Sequence, residues 1–487
     1  MPDLTERSAT VAGSTDLLTG AIGPTLIAFA LPTLGSSALQ SASGSLNAVW
    51  VGRFLGEGAL AATANGNIVM FLMLAFVFGF GMASTILIGQ AFGKGDTREA
   101  RRVAGTALGA FVPAAMVLCA LGWIFAPHLL DALGTDPATS QLALDYLRVI
   151  FLALPFMLTF TLVSMALRGA GDARTPLVFM ALSVLLDSGL NPLLIAGIGP
   201  FPELGIRGAA LATVIANLVA LPAMVFYLYR RRSPLALTGG EAVFLIPDPA
   251  LLQTVVRKGV PIGLQMIVIS SAALTMLRLV NAEGVETTAA YAVVQQLWTY
   301  VQMPAMAIGG AVSAMAAQNI GAGKWDRVGR ITGSGIALSV GLTAVLAVAS
   351  WFFADAILTL FLGEGSAAVP IAARIAALAT WGFTGFAVAL VVFGTVRANG
   401  EVLWPLAILF IGMYPVRLGF AYGAREWLGV EALWLSFPVS MIAIAGMAMC
   451  LYIFGAWRNK GIAAPPTRHE CEEHGRAGGE TRGGVPC

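Results

Sequence analysis

Asp187 lies in the middle of FMALSVLLDSGLNPLLIAGIG, an apolar stretch long enough to cross a bilayer, and no other such stretch carries a carboxylate at its middle. An ionisable side chain at that depth is costly, so its default role is an ion path, a proton relay or a ligand counter-ion. Asn191 follows four residues later and shares a helix face with it. Pro192 lacks an N–H and frees one backbone carbonyl, an arrangement common near transporter ion sites. Thr213 and Asn217, also four apart, lie in the next apolar stretch and are placed to close the same site. One carboxylate with carboxamide oxygens can bind a proton or hold Na⁺ transiently, since hard cations favour several oxygen ligands. Hydrocarbon disfavours the charged form of a carboxylic acid, so such a group can load a proton on one side and release it when water arrives from the other. The proton is the first expectation. The plain alternative is an acid that only hydrogen-bonds a neighbouring helix.

A second polar group lies further on. Gln295, Thr299 and Gln302 fall at i, i+4 and i+7, with Trp298 and Met303 close by and Gln265 in the preceding stretch. A polar stripe with aromatics and Met suits a cavity for varied amphipathic ligands. Interhelical hydrogen bonding by glutamines is the equally open alternative. Asp145 and Arg148, three apart, read as a local ion pair, and Arg417 and Arg425 as side chains that snorkel outward. His469, Cys471 and His474 are metal-capable types, but their spacing fits no standard zinc pattern. No fixed metal and no cofactor are expected.

The elements that position these groups are membrane helices. Hydrophobic residues make up 57% of the 487 and charged residues 11%, against about 25% charged in a soluble domain; mean hydropathy is +0.82. A spanning helix needs roughly 20 apolar residues. Twelve candidate spans fall near 24–48, 59–91, 103–127, 141–165, 177–199, 207–229, 253–280, 288–318, 331–354, 368–394, 403–424 and 432–456. Most of the 28 basic residues follow even-numbered spans or lie in the tail, including Lys94, Arg101, Arg102, Arg168, Arg257, Arg327, Arg397 and Arg458. The positive-inside rule makes that side cytoplasmic, with both termini inside. The net charge of +2 then reflects topology, and no nucleic-acid partner is expected. Residues 1–20 are polar and lack the basic start of a cleavable signal peptide.

The chain repeats itself. Gln90-Ala-Phe-Gly93-Lys-Gly95 follows span two, and Gln318-Asn-Ile-Gly321-Ala-Gly323 follows span eight at an offset of 228. Arg168-Gly-Ala-Gly171-Asp172 and Arg397-Ala-Asn-Gly400-Glu401 echo each other at 229, as do Pro32 and Pro261. Six spans separate equivalent points, so both halves enter the membrane in the same sense. That predicts an all-α integral membrane protein with two six-helix lobes related by a pseudo-twofold along the membrane normal and a substrate path between them. The expected organisation is a polar segment 1–20, a lobe at 21–232, a cytoplasmic linker at 233–251, a lobe at 252–457 and a disordered cytoplasmic tail at 458–487.

Over about residues 20–457 the sequence resembles the multidrug and toxic compound extrusion (MATE) family, DinF-like branch. The resemblance is carried by the Pro32 region running to LNAVWVGRFLG, both Q-x-x-G-x-G loops, LRGAGDARTP, LNPLLIAGIG and GIRGAALATVIAN. It implies twelve helices in two V-shaped lobes and secondary active export of lipophilic, often cationic organic compounds by H⁺ or Na⁺ antiport through alternating access. It departs from the family in two places. Asn47 stands where members usually carry an acid in the first span, and in the fifth span acid and amide have exchanged places as Asp187 and Asn191. Ile269 stands about where some branches carry a seventh-span acid. Ion coupling is therefore expected in the N-terminal lobe alone. The expected setting is the cytoplasmic (inner) membrane, with lipid around a chain working as a monomer. One rival is a lipid-linked precursor flippase, with Arg53, Arg278 and Arg374 reaching the cavity. A distant rival is an intramembrane enzyme, for which Gly169-Ala-Gly171-Asp172 supplies a G-x-G-D string but no second acid at that depth.

Overall fold

The computed structural model describes residues 16–132, 137–363 and 365–459. The tail from residue 460, with His469, Cys471 and His474, lies outside the described residues, as does most of segment 1–20. Helices make up the regular structure, and no strand occurs among the described residues. Hydrocarbon enforces this choice, because each backbone N–H and C=O must find its partner within the same segment.

A single helical run, Ile22–Lys94, breaks at Gly56, whose φ of 80° and ψ of −172° only glycine adopts without strain. Its arms hold α1 (Ile22–Gly56) and α2 (Met73–Lys94). There follow α3 (Thr97–Ala132), α4 (Pro137–Gly169), α5 (Arg174–Ala196), α6 (Ile206–Arg230), α7 (Pro249–Asn281), α8 (Val285–Gly321) and α9 (Trp325–Phe352). The next span, α10, is bent by 48° between Ala368–Ala379 and Gly382–Ala398, and α11 (Leu403–Gly423) and α12 (Glu431–Phe454) complete the bundle. Among the described residues ten helices are long and apolar enough to cross a membrane, and α10 taken as one span makes eleven. The remaining expected span is α8, which is 37 residues long and whose apolar run is interrupted by Gln295, Gln296, Thr299, Gln302 and Pro304. The bend in α10 and a π-turn at Gly412–Val416 inside α11, around Pro415, were not legible in the apolar pattern. Apolar side chains such as Leu185, Phe226, Leu274 and Val345 stand largely exposed on the helices, as a lipid-facing surface requires.

Each half has its own core. In the first, Phe111, Tyr146, Phe151, Leu154 and Ile206 pack together. In the second, Tyr291, Trp298, Phe383, Trp434 and Phe437 form an aromatic centre. The halves also share a cluster in which Leu17, Leu26 and Phe29 pack with Ile308, Met315 and Val391. Close approach of α2 to α7 depends on missing side chains, since a Cβ on Gly79 would stand 2.3 Å from the Gly259 carbonyl oxygen.

The linker, expected as a cytoplasmic connector, has structure of its own. Residues Gly239–Leu245 form a 3₁₀ turn with a capping box between Thr238 and Glu241. Arg101 Nε donates to Glu241 at 3.0 Å, and Arg102 is paired with Asp248. Asp248 caps α7 by accepting from the N–H groups of Ala250 and Leu251, ahead of Pro249 at the first turn. Partial burial pushes the Asp248 carboxyl up, but the Arg102 guanidinium and the two N–H groups outweigh it and hold the carboxyl below its usual range. A depressed folded-state pKa contributes stability above the unfolded value and loses it as pH falls through the folded one. Asp248→Ala is expected to cost about 1 kcal/mol at pH 5–7. The deficit, read by thermal melting in detergent, should fade only below the ordinary carboxylate value of about 3.9.

Candidate functional site

Three helices of the first half each present a polar pair one turn apart: Ser43 and Asn47 on α1, Asp187 and Asn191 on α5, Thr213 and Asn217 on α6. Asp187 is 6% exposed. Thr213 Oγ1 donates to Asp187 Oδ1 at 2.8 Å, and Ser43 Oγ donates to Oδ2 at 3.3 Å. No ion pair among the described residues includes Asp187. Hydroxyl donors from two other helices thus hold both carboxyl oxygens without a cation.

The amides orient the frame. Asn217 Nδ2 donates to the Thr213 carbonyl at 2.9 Å, which steadies the turn bearing the Thr213 hydroxyl. Asn191 Nδ2 donates to the Asp187 carbonyl at 3.0 Å. Asn47 faces the Tyr146 hydroxyl from α4. The carboxamide oxygens of Asn47 and Asn191 and the Ser188 hydroxyl are buried without a hydrogen-bond partner in the structure. Oxygen atoms of this kind within a helical turn of one carboxylate or of its Ser43 donor suit a proton on Asp187 with water-mediated bonds, or a small hard cation. The close contact of α5 and α6 permits the Thr213 bond, since a Cβ on Gly208 would stand 2.3 Å from the Leu194 carbonyl oxygen.

The structure brings Asp187 and Thr213 into contact, with Asn191 and Asn217 braced on the same turns. Ser43 and Tyr146 were missed by the sequence reading. Ser43 had a signal, for it precedes Asn47 by four residues on the same helix face.

The six residues considered for substrate are not brought together. Gln295 and Thr299 are exposed on one face of α8, with Gln302 and Met303 half-buried beside them. Trp298 turns the other way into the aromatic core, where its Nε1 donates to Thr380 Oγ1 at 3.0 Å. Gln265 is buried and bridges α7 to the α10–α11 end, donating to the Val402 carbonyl at 3.3 Å and accepting from Arg397 at 3.4 Å.

Two charged readings are corrected. Asp145 pairs with Arg207 at 2.8 Å rather than with Arg148, which instead lies over the Trp123 ring at 5.2 Å. Arg417 does not snorkel outward: it is buried, its Nε donates to Ser440 Oγ at 2.9 Å, and its guanidinium sits 4.5 Å from the Phe437 ring centre. Cation–π contact and one hydroxyl replace the water it would otherwise seek. Arg425 is half-exposed and paired with Glu283. Asp172 of the G-x-G-D string accepts the N–H groups of Arg174 and Thr175 and the Thr175 hydroxyl, which is the work of a helix start.

The MatE family profile matches residues 32–193 and 261–423. The chain is 35% identical to the probable multidrug resistance protein YoeA of Bacillus subtilis, over 89% of this chain and 94% of that protein. It is 29% identical to the probable multidrug resistance protein YpnP of the same organism, over 91% and 97%. Its fold superposes on a crystallised outward-facing multidrug resistance MATE family transporter of the MOP superfamily with a TM-score of 0.83, at 19% identity and covering 91% of this chain and 97% of that one.

Trp298→Phe removes the indole donor and part of a packed ring. It is expected to lower stability by about 1–3 kcal/mol, visible as a reduced melting temperature in detergent. A melting point equal to that of the parent would mean that Trp298 is not a core residue.

Proposed function

The chain belongs to the MatE family, a family of transporters rather than enzymes, and we propose that it is a secondary active multidrug exporter whose ion coupling runs through Asp187. Two relatives bear the name of probable multidrug resistance proteins, and lipophilic or cationic organic compounds are the cargo class we assign. The observation that carries the coupling site is a buried carboxyl held by hydroxyls from two other helices, with no basic partner among the described residues. The coupling ion is H⁺, with Na⁺ as the second candidate because unpartnered carboxamide oxygens lie one helical turn away, on Asn191 after Asp187 and on Asn47 after Ser43. Lobes 21–232 and 252–457 rock about the seam between α2, α7 and α8 in alternating access, joined by the linker at 233–251. Their basic end faces the cytoplasm in the inner membrane, and one chain in lipid is the working unit.

A lipid-linked precursor flippase fits less well. Of the three arginines that reading needs, Arg374 is tied to Glu431 at 2.5 Å, and Arg53 and Arg278 are exposed.

The test is reconstitution in liposomes with either a ΔpH or a Na⁺ gradient, following a fluorescent organic cation. The gradient that drives export identifies the ion. Asp187→Asn should insert and melt like the parent while export falls to the level of empty vesicles. Full gradient-driven export by that variant would overturn the coupling role. Gln295→Ala and Gln302→Ala, on the exposed face of α8, should change the relative export of different cargoes without loss of insertion. Unchanged cargo preferences would remove that face from the substrate path.

A further inference from the structure

The two Q-x-x-G-x-G loops meet each other. Gln90 Nε2, at the end of α2, donates to the Ala398 carbonyl at the end of α10, 2.7 Å away. Gln318 Nε2, at the end of α8, donates to the Gly169 carbonyl at the end of α4, 3.0 Å away. Both bonds cross from one half of the molecule to the other, and each is the image of its mate under the repeat offset. Both glutamines are buried. Their acceptors are the last carbonyls of helices, which have no partner within the helix itself. Each half therefore caps a helix of the other.

The glycines of the same motif complete the fit. A Cβ on Gly93 would stand 1.9 Å from the Gln318 carbonyl oxygen, and one on Gly321 would stand 2.1 Å from the Gln90 carbonyl oxygen. Gly89 and Ala317, again related by 228, face each other so closely that a Cβ on Gly89 would lie 2.9 Å from that of Ala317. Residues equivalent under a twofold touch only near its axis, so the axis passes through this seam. A strap reinforces it: Asn319, Lys324 and Arg327 donate to the carbonyls of Leu17, Leu18, Thr19 and Gly20 ahead of α1.

We propose that Gln90 and Gln318 form a reciprocal clasp that holds the basic end of the transporter shut, and that both bonds break each time it opens there, a step that rests on the alternating-access reading above. The bonds are made in a seam without solvent, so opening must rewet two amides and two helix-end carbonyls together. The paired motif then sets the balance between states, with no part in choosing ion or cargo.

The test reads opening through a thiol in the seam. Cys450, Cys471 and Cys487 are replaced by Ser, Ala317→Cys places a thiol on the axis, and the native buried Cys119 in α3 is kept as a reference. Modification of each thiol by N-ethylmaleimide in liposomes is followed by mass spectrometry. Gln90→Ala and Gln318→Ala should each speed labelling at 317 about fivefold, and together about 25-fold, with Cys119 unchanged. Gly93→Ala, whose methyl cannot coexist with the closed seam, should speed it as well. An unchanged rate at 317 in the double glutamine variant overturns the clasp, whatever Gly93→Ala does. Equal acceleration at Cys119 also overturns it, because the variant has then loosened as a whole. Labelling needs no cargo, so a parent that exports nothing would sink the exporter reading and leave this result standing.

Discussion

Within the hydrocarbon a polar side chain has no water to fall back on, and where it bonds decides what it does. Most hydroxyls in the spans bond their own helix. Thr33 donates to the Phe29 carbonyl, Ser84 to Phe80 and Ser36 to Pro32, each four residues back. Such groups are neutral passengers. Other polar groups leave their own helix and tie segments together: Ser43 and Thr213 on Asp187, Gln90 and Gln318 across the seam, Trp298 on Thr380, with Thr85 on the Met165 carbonyl and Tyr414 on Ser271 as further struts.

Charge follows a related division. The basic residues gather at one end, where Arg101 and Arg102 pin the linker to α3 through Glu241 and Asp248. Among the buried ionisable residues that are described, Arg397 and Glu401 lie at the end of α10, whereas Asp187 and Arg417 sit within the spans, one in each half. Neither has an ion-pair partner among the described residues. Hydroxyls hold the first, and a hydroxyl with an aromatic face holds the second. A buried salt bridge would be rigid and hard to discharge. A carboxyl held by neutral donors keeps both protonation states within reach, which suits the coupling role proposed for it.

Much of this was legible in the sequence because it depends on spacing along one helix. The pairs Asp187/Asn191 and Thr213/Asn217 declare a face by being four apart, and the offset of 228 declares two equivalent halves. What stayed hidden depends on which face of one helix meets which face of another. Trp298 falls within the polar stripe of α8 by number, yet it points into the core because Thr380 and Phe437 wait there. Arg417 reads as a snorkelling cation until α12 brings Ser440 and Phe437 to it. The linker reads only as a cytoplasmic connector, because its ionic partners lie more than a hundred residues away on α3. The Q-x-x-G-x-G loops were visible as a repeat, but nothing along the chain says that the two copies touch.

The polarity of α8 has a consequence for biogenesis. This helix carries the Gln295, Thr299 and Gln302 face and is not among the ten long apolar helices counted above. A polar face lowers the gain from entering lipid, and entry as one arm of a hairpin with α7 or α9 would offset that loss. The aromatic centre in which Trp298 packs against α10 and α12 secures α8 once it is there. A substitution that weakens that aromatic centre would be felt first as poor insertion and premature turnover of the nascent protein, before any defect in movement of cargo became measurable.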